Sequence, residues 1–244
     1  MRHKYLPSFV KRRGRITKSQ EDNLNALSKY EIKNYSQIIN AKKNYSKVVL
    51  EIGFGNGENT LDLASNNPDT LYIASEVYLA GIGSLIGEVI GRQLQNILIT
   101  SGDIRLLIDN IKEPVFDDVI VICPDPWPKL KHHKRRMLTN EFFKLVHPSI
   151  KDNGELFMST DVEDYAESIE DQLKLSQGYA RNTKSKYELS SHTKFQRRAI
   201  EEGSYRFLRK NSHIILCSLI CIGHNVSKEN KSYGGRYDLT KGSC

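Results

Sequence analysis

The chain of 244 residues and 27.9 kDa is the size of one ordinary domain with an added arm, and 39% hydrophobic with 27% charged residues are globular proportions. Its longest apolar run, 214–222 broken by Ser218, is far shorter than the roughly 20 residues that cross a bilayer, which sets aside membrane-spanning and disordered classes. The net charge of +7 is unevenly placed: residues 1–50 carry 12 Lys+Arg against 3 Asp+Glu, 51–128 carry 3 against 12, and 129–244 carry 21 against 14.

An acidic centre between basic flanks points to a central site for a cationic ligand, served by flanks that hold a polyanion; charges segregated on solvated faces are the alternative. The opening residues Met1-Arg2-His3-Lys4-Tyr5 lead into more basic sequence and not into an apolar segment, so a signal peptide is not expected and the cytoplasm is the expected location. The four cysteines, Cys123, Cys217, Cys221 and Cys244, include no C-x2-C pair, so reduced thiols are expected and no metal site.

Along the chain, residues 1–46 read as a basic arm plus one helix. Thereafter the pattern alternates. A β-branched run at 48–52 ends in glycines, and a helix begins near Glu58 and continues to Asn66. A strand at 71–74 is followed by a helix over 79–94, a strand at 96–100 by a helix through Ile104, Leu107, Ile108 and Ile111. The run 119–123 is continuously apolar, as a strand buried on both faces requires. A helix over 142–150, a strand at 155–160 and a helix over 162–175 complete the series, with no internal repeat. Strands separated by helices imply right-handed βαβ crossovers, hence an α/β fold with a mostly parallel central sheet flanked by helices. Ligands of such sheets sit beyond the carboxyl ends of the strands.

The first strand runs into Glu51-Ile52-Gly53-Phe54-Gly55-Asn56-Gly57. Glycines at alternate positions let the backbone turn and approach a ligand, although a purely structural turn is an equal reading. The flanking Glu51 and Glu58 disfavour a pyrophosphate at this helix start and favour a cationic ligand. The second strand ends in Ser75-Glu76, about twenty residues on, where a carboxylate accepts both ribose hydroxyls, and the third ends in Gly102-Asp103, within reach of an adenine amino group. Each acid alone reads as a solvated loop residue. Three successive strand ends carrying Glu51, Glu76 and Asp103 suit S-adenosylmethionine, which has a ribose, an adenine and a sulfonium. The fourth strand ends in Cys123-Pro124-Asp125-Pro126-Trp127-Pro128-Lys129, a proline-stiffened loop that sets Asp125 and the only tryptophan at the cleft mouth. The basic run to Arg136 that follows is either a solvated face or a draw for phosphates.

These residues resemble a known family. The segments 8–17, 50–55, 124–129 with 133–136, Ser159-Thr160-Asp161 with Tyr165-Ala166, and Thr193-Lys194-Phe195 are similar in order and spacing to the bacterial tRNA (guanine-N7)-methyltransferases, over roughly residues 5–207. The resemblance implies a class I S-adenosylmethionine-dependent (Rossmann-like) methyltransferase fold, S-adenosyl-L-methionine as cofactor, tRNA as partner, and methylation of N7 of a guanine in the variable loop, position 46. It implies cofactor contacts at Glu51, Gly53, Gly55, Glu76, Asp103 and Asp125, with Asp125 also the catalytic acid. Substrate contacts fall on Lys129, Asp161, Thr193, Lys194, Phe195 and Gln196. The chain divides on this reading into an arm and helix (1–46), a methyltransferase domain (47–210) and a C-terminal extension (211–244) with no assigned role, as monomer or homodimer. Departures concentrate in the substrate loop: Gln196 stands where the family has Glu, Ala199 where it has Gly, and Ser191-His192 where it has Arg-Pro; Tyr78 replaces a His. The last family strand would fall near 205–208, leaving the apolar segment 214–222 as an added edge or interface strand. The rivals are an amino-group nucleic-acid methyltransferase, a noncatalytic RNA-binding protein retaining the fold and, weakest, an NAD-dependent oxidoreductase.

Overall fold

The computed structural model describes residues 4–9, 15–182, 185–187 and 215–221. Within these, seven strands form one sheet in the order β3-β2-β1-β4-β5-β7-β6. Strands β1 (Lys47–Ile52), β2 (Thr70–Ser75), β3 (Ile97–Thr100), β4 (Phe116–Ile122) and β5 (Ile150–Thr160) are mutually parallel. Strand β7 (Ile215–Cys221) runs antiparallel between β5 and β6 (Tyr179–Arg181).

The alternation of side chains along the strands builds two apolar layers. Val48, Leu50, Ile73, Val119, Val121, Leu156 and Met158 face one side, where they meet α3 (Tyr35–Lys42), α6 (Ile104–Ile108), α7 (Asn140–Val146) and α8 (Glu163–Lys174). Val49, Tyr72, Ala74, Ile120 and Phe157 face the other, against α4 (Glu58–Asn66) and α5 (Leu79–Gly91). With both faces covered, β2 and most of β1 and β4 read as unbroken apolar runs because they are buried throughout.

Three expectations are corrected. The single helix before residue 46 is three: α1 (Lys18–Leu24), α2 (Leu27–Tyr30) and α3. Two of them start at capping boxes, Thr17 with Gln20 and Asn34 with Gln37, each pairing side chain to backbone in both directions. The helix expected over 142–150 is α7 followed by a 3-10 turn, His147–Ser149, because Pro148 removes a backbone donor; Ile150 already belongs to β5. The segment expected to lie beyond the domain as an edge or interface strand is β7, paired on both sides, Met158↔Cys217 on one and Ala180↔Ile220 on the other. The sheet therefore continues past residue 210 to Cys221; segment 205–208 lies outside the described residues.

Candidate active site

The strand order reverses at β1, which pairs with β2 on one side and β4 on the other, Ile52 facing both Ser75 and Val121. The crevice above the carboxyl ends of β1 and β4 is where a doubly wound sheet binds its ligand. Gly53, Gly55 and Gly57 have φ of +77°, +62° and +87°, a region that only glycine enters without strain. Their surroundings differ. A Cβ on Gly53 or Gly55 would meet no atom within 4 Å, so the loop presents open backbone there. A Cβ on Gly57 would stand 2.6 Å from Leu85 Cδ1, and one on Gly81 of α5 would stand 2.0 Å from the Gly55 carbonyl oxygen. The loop is cradle-like on its outer side and packed tightly on its inner side.

All the expected acids up to Asp161 lie at this edge of the sheet, but they are engaged differently. Glu51, only 2% exposed, turns toward α4, where Asn59 donates to one carboxylate oxygen at 3.1 Å and the Thr60 hydroxyl to the other. Burial raises its pKa, and the charge of Glu76 adds to the rise. Glu76 accepts the Gly55 N–H at 2.9 Å and the N–H groups of Val77 and Tyr78 at 2.6 and 3.0 Å, so it fixes the glycine loop to the end of β2. Asp103 caps α6 and chelates Arg105, with Nε and Nη2 at 2.9 and 2.7 Å. Arg105 also donates to the Leu6 carbonyl at 2.9 Å and covers the Tyr5 ring at 4.9 Å. Together with an ion pair between Lys4 and Asp109, this lays residues 4–6 against α6 and the residue that follows it.

The loop after β4 begins with a correction: Cys123, expected to end the strand, leaves it at φ +44°. Trp127 has φ +47°. Both precede a proline, which normally forces extended backbone, so each position stores strain on the order of 1–3 kcal/mol that its contacts must hold. Trp127 donates its indole N–H to the Ser8 carbonyl at 3.0 Å, lies under the Arg135 guanidinium at 4.8 Å and meets His132 edge-on. The Cys123 N–H donates to the Ser159 carbonyl at 3.0 Å, joining this loop to the end of β5. Burial, with the charge of neighbouring Asp161, pushes the Cys123 thiol up to about 12, which removes it as a nucleophile. Lys129 and Asp161 are exposed.

The structure thus brings Gly53, Gly55, Glu76, Asp103, Asp125, Lys129 and Asp161 to one edge, with Glu51 supporting from within. Thr193, Lys194, Phe195 and Gln196 lie outside the described residues. The basic run 131–136 is not uniform: it forms a 3-10 helix, Leu130–Arg135, with Lys131 and Lys134 exposed and Arg136 buried. Arg105 and Gly81 went unread in the sequence, and Arg136 was read only as part of a basic run, since neither a buried arginine nor a close-packed helical glycine leaves a periodic signal. Among the described residues no helix is long and apolar enough to cross a membrane.

Comparison with known proteins bears on the fold and the family. Residues 45–216 match the family described as "Putative methyltransferase". The tRNA (guanine-N(7)-)-methyltransferase of Neorickettsia sennetsu is 39% identical over 68% of this chain and 73% of its own length, and that of Wolbachia pipientis wMel is 38% identical over 82% and 88%. Among solved structures, the 16S rRNA methyltransferase KamB superposes with a TM-score of 0.55 at 14% identity, covering 78% of this chain and 95% of its own. A point mutant of the 16S rRNA (adenine(1408)-N(1))-methyltransferase of Catenulisporales acidiphilia, solved with its cosubstrate, gives 0.53 at 12% over 79% and 93%. These likenesses show the class I methyltransferase fold. The identities over most of both chains show more: this chain belongs to the tRNA (guanine-N(7)-)-methyltransferase family.

Proposed function

We propose that the chain transfers a methyl group from S-adenosyl-L-methionine to N7 of a guanine in the tRNA variable loop. The observation that carries the reading is the open glycine backbone at Gly53 and Gly55 beside Glu76 and Asp103, with the stiff Asp125 loop on the same sheet edge. The cofactor fits this donor set. Free space stands above the two glycines where a Cβ would otherwise project, and carboxylates at the next two strand ends suit ribose hydroxyls and an adenine amino group. Bound there, it supplies an electrophilic methyl on a sulfonium.

Guanine N7 carries an unprotonated lone pair, so no side chain has to remove a proton from it. The protein's task is to place the base in line, and positioning of that kind supplies roughly 7 to 11 kcal/mol. Asp125, held by prolines, and Asp161, at the end of the neighbouring strand β5, are suited to accept hydrogen bonds from guanine N1 and the exocyclic amine. Their negative charge then stabilises the positive charge that develops on the purine. Exposed Lys129 is a phosphate contact in this reading, with Thr193, Lys194, Phe195 and Gln196 completing the substrate side.

The test is transfer of labelled methyl to tRNA lacking the modification, followed by nucleoside digestion. 7-Methylguanosine is the expected product. Label on an exocyclic amine would favour an amino-group methyltransferase, and tRNA binding with no label would favour a noncatalytic RNA-binding protein.

A further inference from the structure

Arg136 ends a run of basic residues that the sequence reads either as a solvated face or as a draw for phosphates, yet it is 5% exposed and spends its donors inside the protein. Its Nε donates to the Pro126 carbonyl at 2.9 Å, in the residue that follows Asp125. Its Nη2 reaches both carboxylate oxygens of Asp164 at 2.7 and 2.8 Å, and Nη1 reaches the Asp164 carbonyl at 3.4 Å. The guanidinium plane lies 4.7 Å over the ring of Tyr165, a fully buried side chain whose hydroxyl accepts the Leu138 N–H at 3.1 Å. One side chain thus ties the loop after β4, which carries Asp125, to the first turn of α8, three residues after Asp161.

We propose that Arg136 is a positioning residue that fixes the spacing between Asp125 and Asp161, with Asp164 as its partner, and that it takes no part in holding tRNA phosphates. The inference rests on the reaction proposed above. The loop needs such a brace because Cys123 and Trp127 are held at positive φ on either side of Asp125, and an unbraced loop relaxes toward extended backbone. Arginine suits the role because its planar fork addresses a carbonyl and a carboxylate at once; lysine, a point donor, cannot.

The experiment compares R136M, R136K and D164N with the unaltered chain, normalised to S-adenosylmethionine-binding sites. Asp164 is half exposed, so D164N tests the brace even where R136M fails to fold. Expected are a fall in kcat of roughly 10- to 100-fold, the effect of an ångström-scale misplacement, no rescue by R136K, cofactor affinity within about threefold, and a salt dependence of tRNA binding left unchanged while K131A/K134A reduces it. Values of kcat per binding site within twofold of the unaltered chain in D164N and R136K would overturn the proposal, as would a reduced salt slope in R136M, the variant that removes the charge. Emission from Trp127, the only tryptophan, reports the loop independently of activity. If the unaltered chain transfers no methyl, the reaction assignment fails. A shifted emission in D164N and R136K would then still show the brace, and an unshifted one would remove it.

Discussion

Replacing Gly81 by alanine tests whether α5 sets the position of the glycine loop. The added Cβ would stand 2.0 Å from the Gly55 carbonyl oxygen and 3.0 Å from its carbon, against an ordinary contact beyond about 3.4 Å. Both neighbours are backbone, so the conflict is relieved only by a shift of about 1 Å or more between α5 and the loop. A shift of that size would stretch the 2.9 Å bond from Gly55 N–H to Glu76 beyond hydrogen-bonding range. Overpacking of this kind costs roughly 1–3 kcal/mol. Expressed at the loop, it weakens S-adenosylmethionine binding about 5- to 150-fold. Calorimetric titration of G81A beside G91A measures it. Gly91 ends the same helix with open space around it, so G91A should leave affinity unchanged. A G81A protein that binds the cofactor within twofold of the unaltered chain refutes the coupling.

Three further outcomes follow from the site. Burial raises the Glu51 carboxyl above its ordinary value, so the folded chain holds this proton more tightly than the unfolded chain, and the stabilisation is lost as pH rises through the interval between the two values. E51Q removes that slope; parallel curves of melting temperature against pH for the two proteins would contradict it. D125N should lower kcat by about 10²- to 10³-fold while tRNA affinity changes by less than about threefold; equal losses in rate and binding would end the separate role of Asp125. Converting Lys11, Arg12, Arg13 and Arg15 to alanine should flatten the dependence of tRNA affinity on log salt by roughly 3, and an unaltered slope in filter binding would remove the arm from phosphate contact.

The parallel half of the fold was legible because each strand carries its own signal: short apolar runs of three to five residues, followed by Gly, Glu, Asp or Pro where the chain turns toward the cleft. The site acids were legible for the same reason, since the chain places them at strand ends. What pairs across the sheet was not. The apolar content of 215–221 announces a strand but not that it enters between β5 and β6, because insertion out of chain order leaves no local mark. The N-terminal helices did leave one, in Thr17 with Gln20 and Asn34 with Gln37, and it passed unread beneath the basic composition of the arm. Arg135 and Arg136 look alike in sequence, yet one lies over Trp127 and the other is locked to Asp164. Only the path of the chain separates them.

The antiparallel pairing of β6 with β7 also bears on how this protein can change. The 33 residues between Arg181 and Ile215 include Thr193 to Gln196, and the strands that border them are paired neighbours in the sheet, Arg181 facing Leu219. For a segment whose ends are already brought together, lengthening is inexpensive: doubling a loop adds only about 0.6 kcal/mol of closure entropy. The cost of change is not even along this connection: Tyr187 donates to buried Asp118 at 2.7 Å and packs on Phe157, so substitutions at that position reach the core, whereas insertions after it in sequence add mainly closure entropy. The departures at Ser191, His192, Gln196 and Ala199 fall after Tyr187 in sequence, where the chain can be lengthened or varied at that small entropic cost.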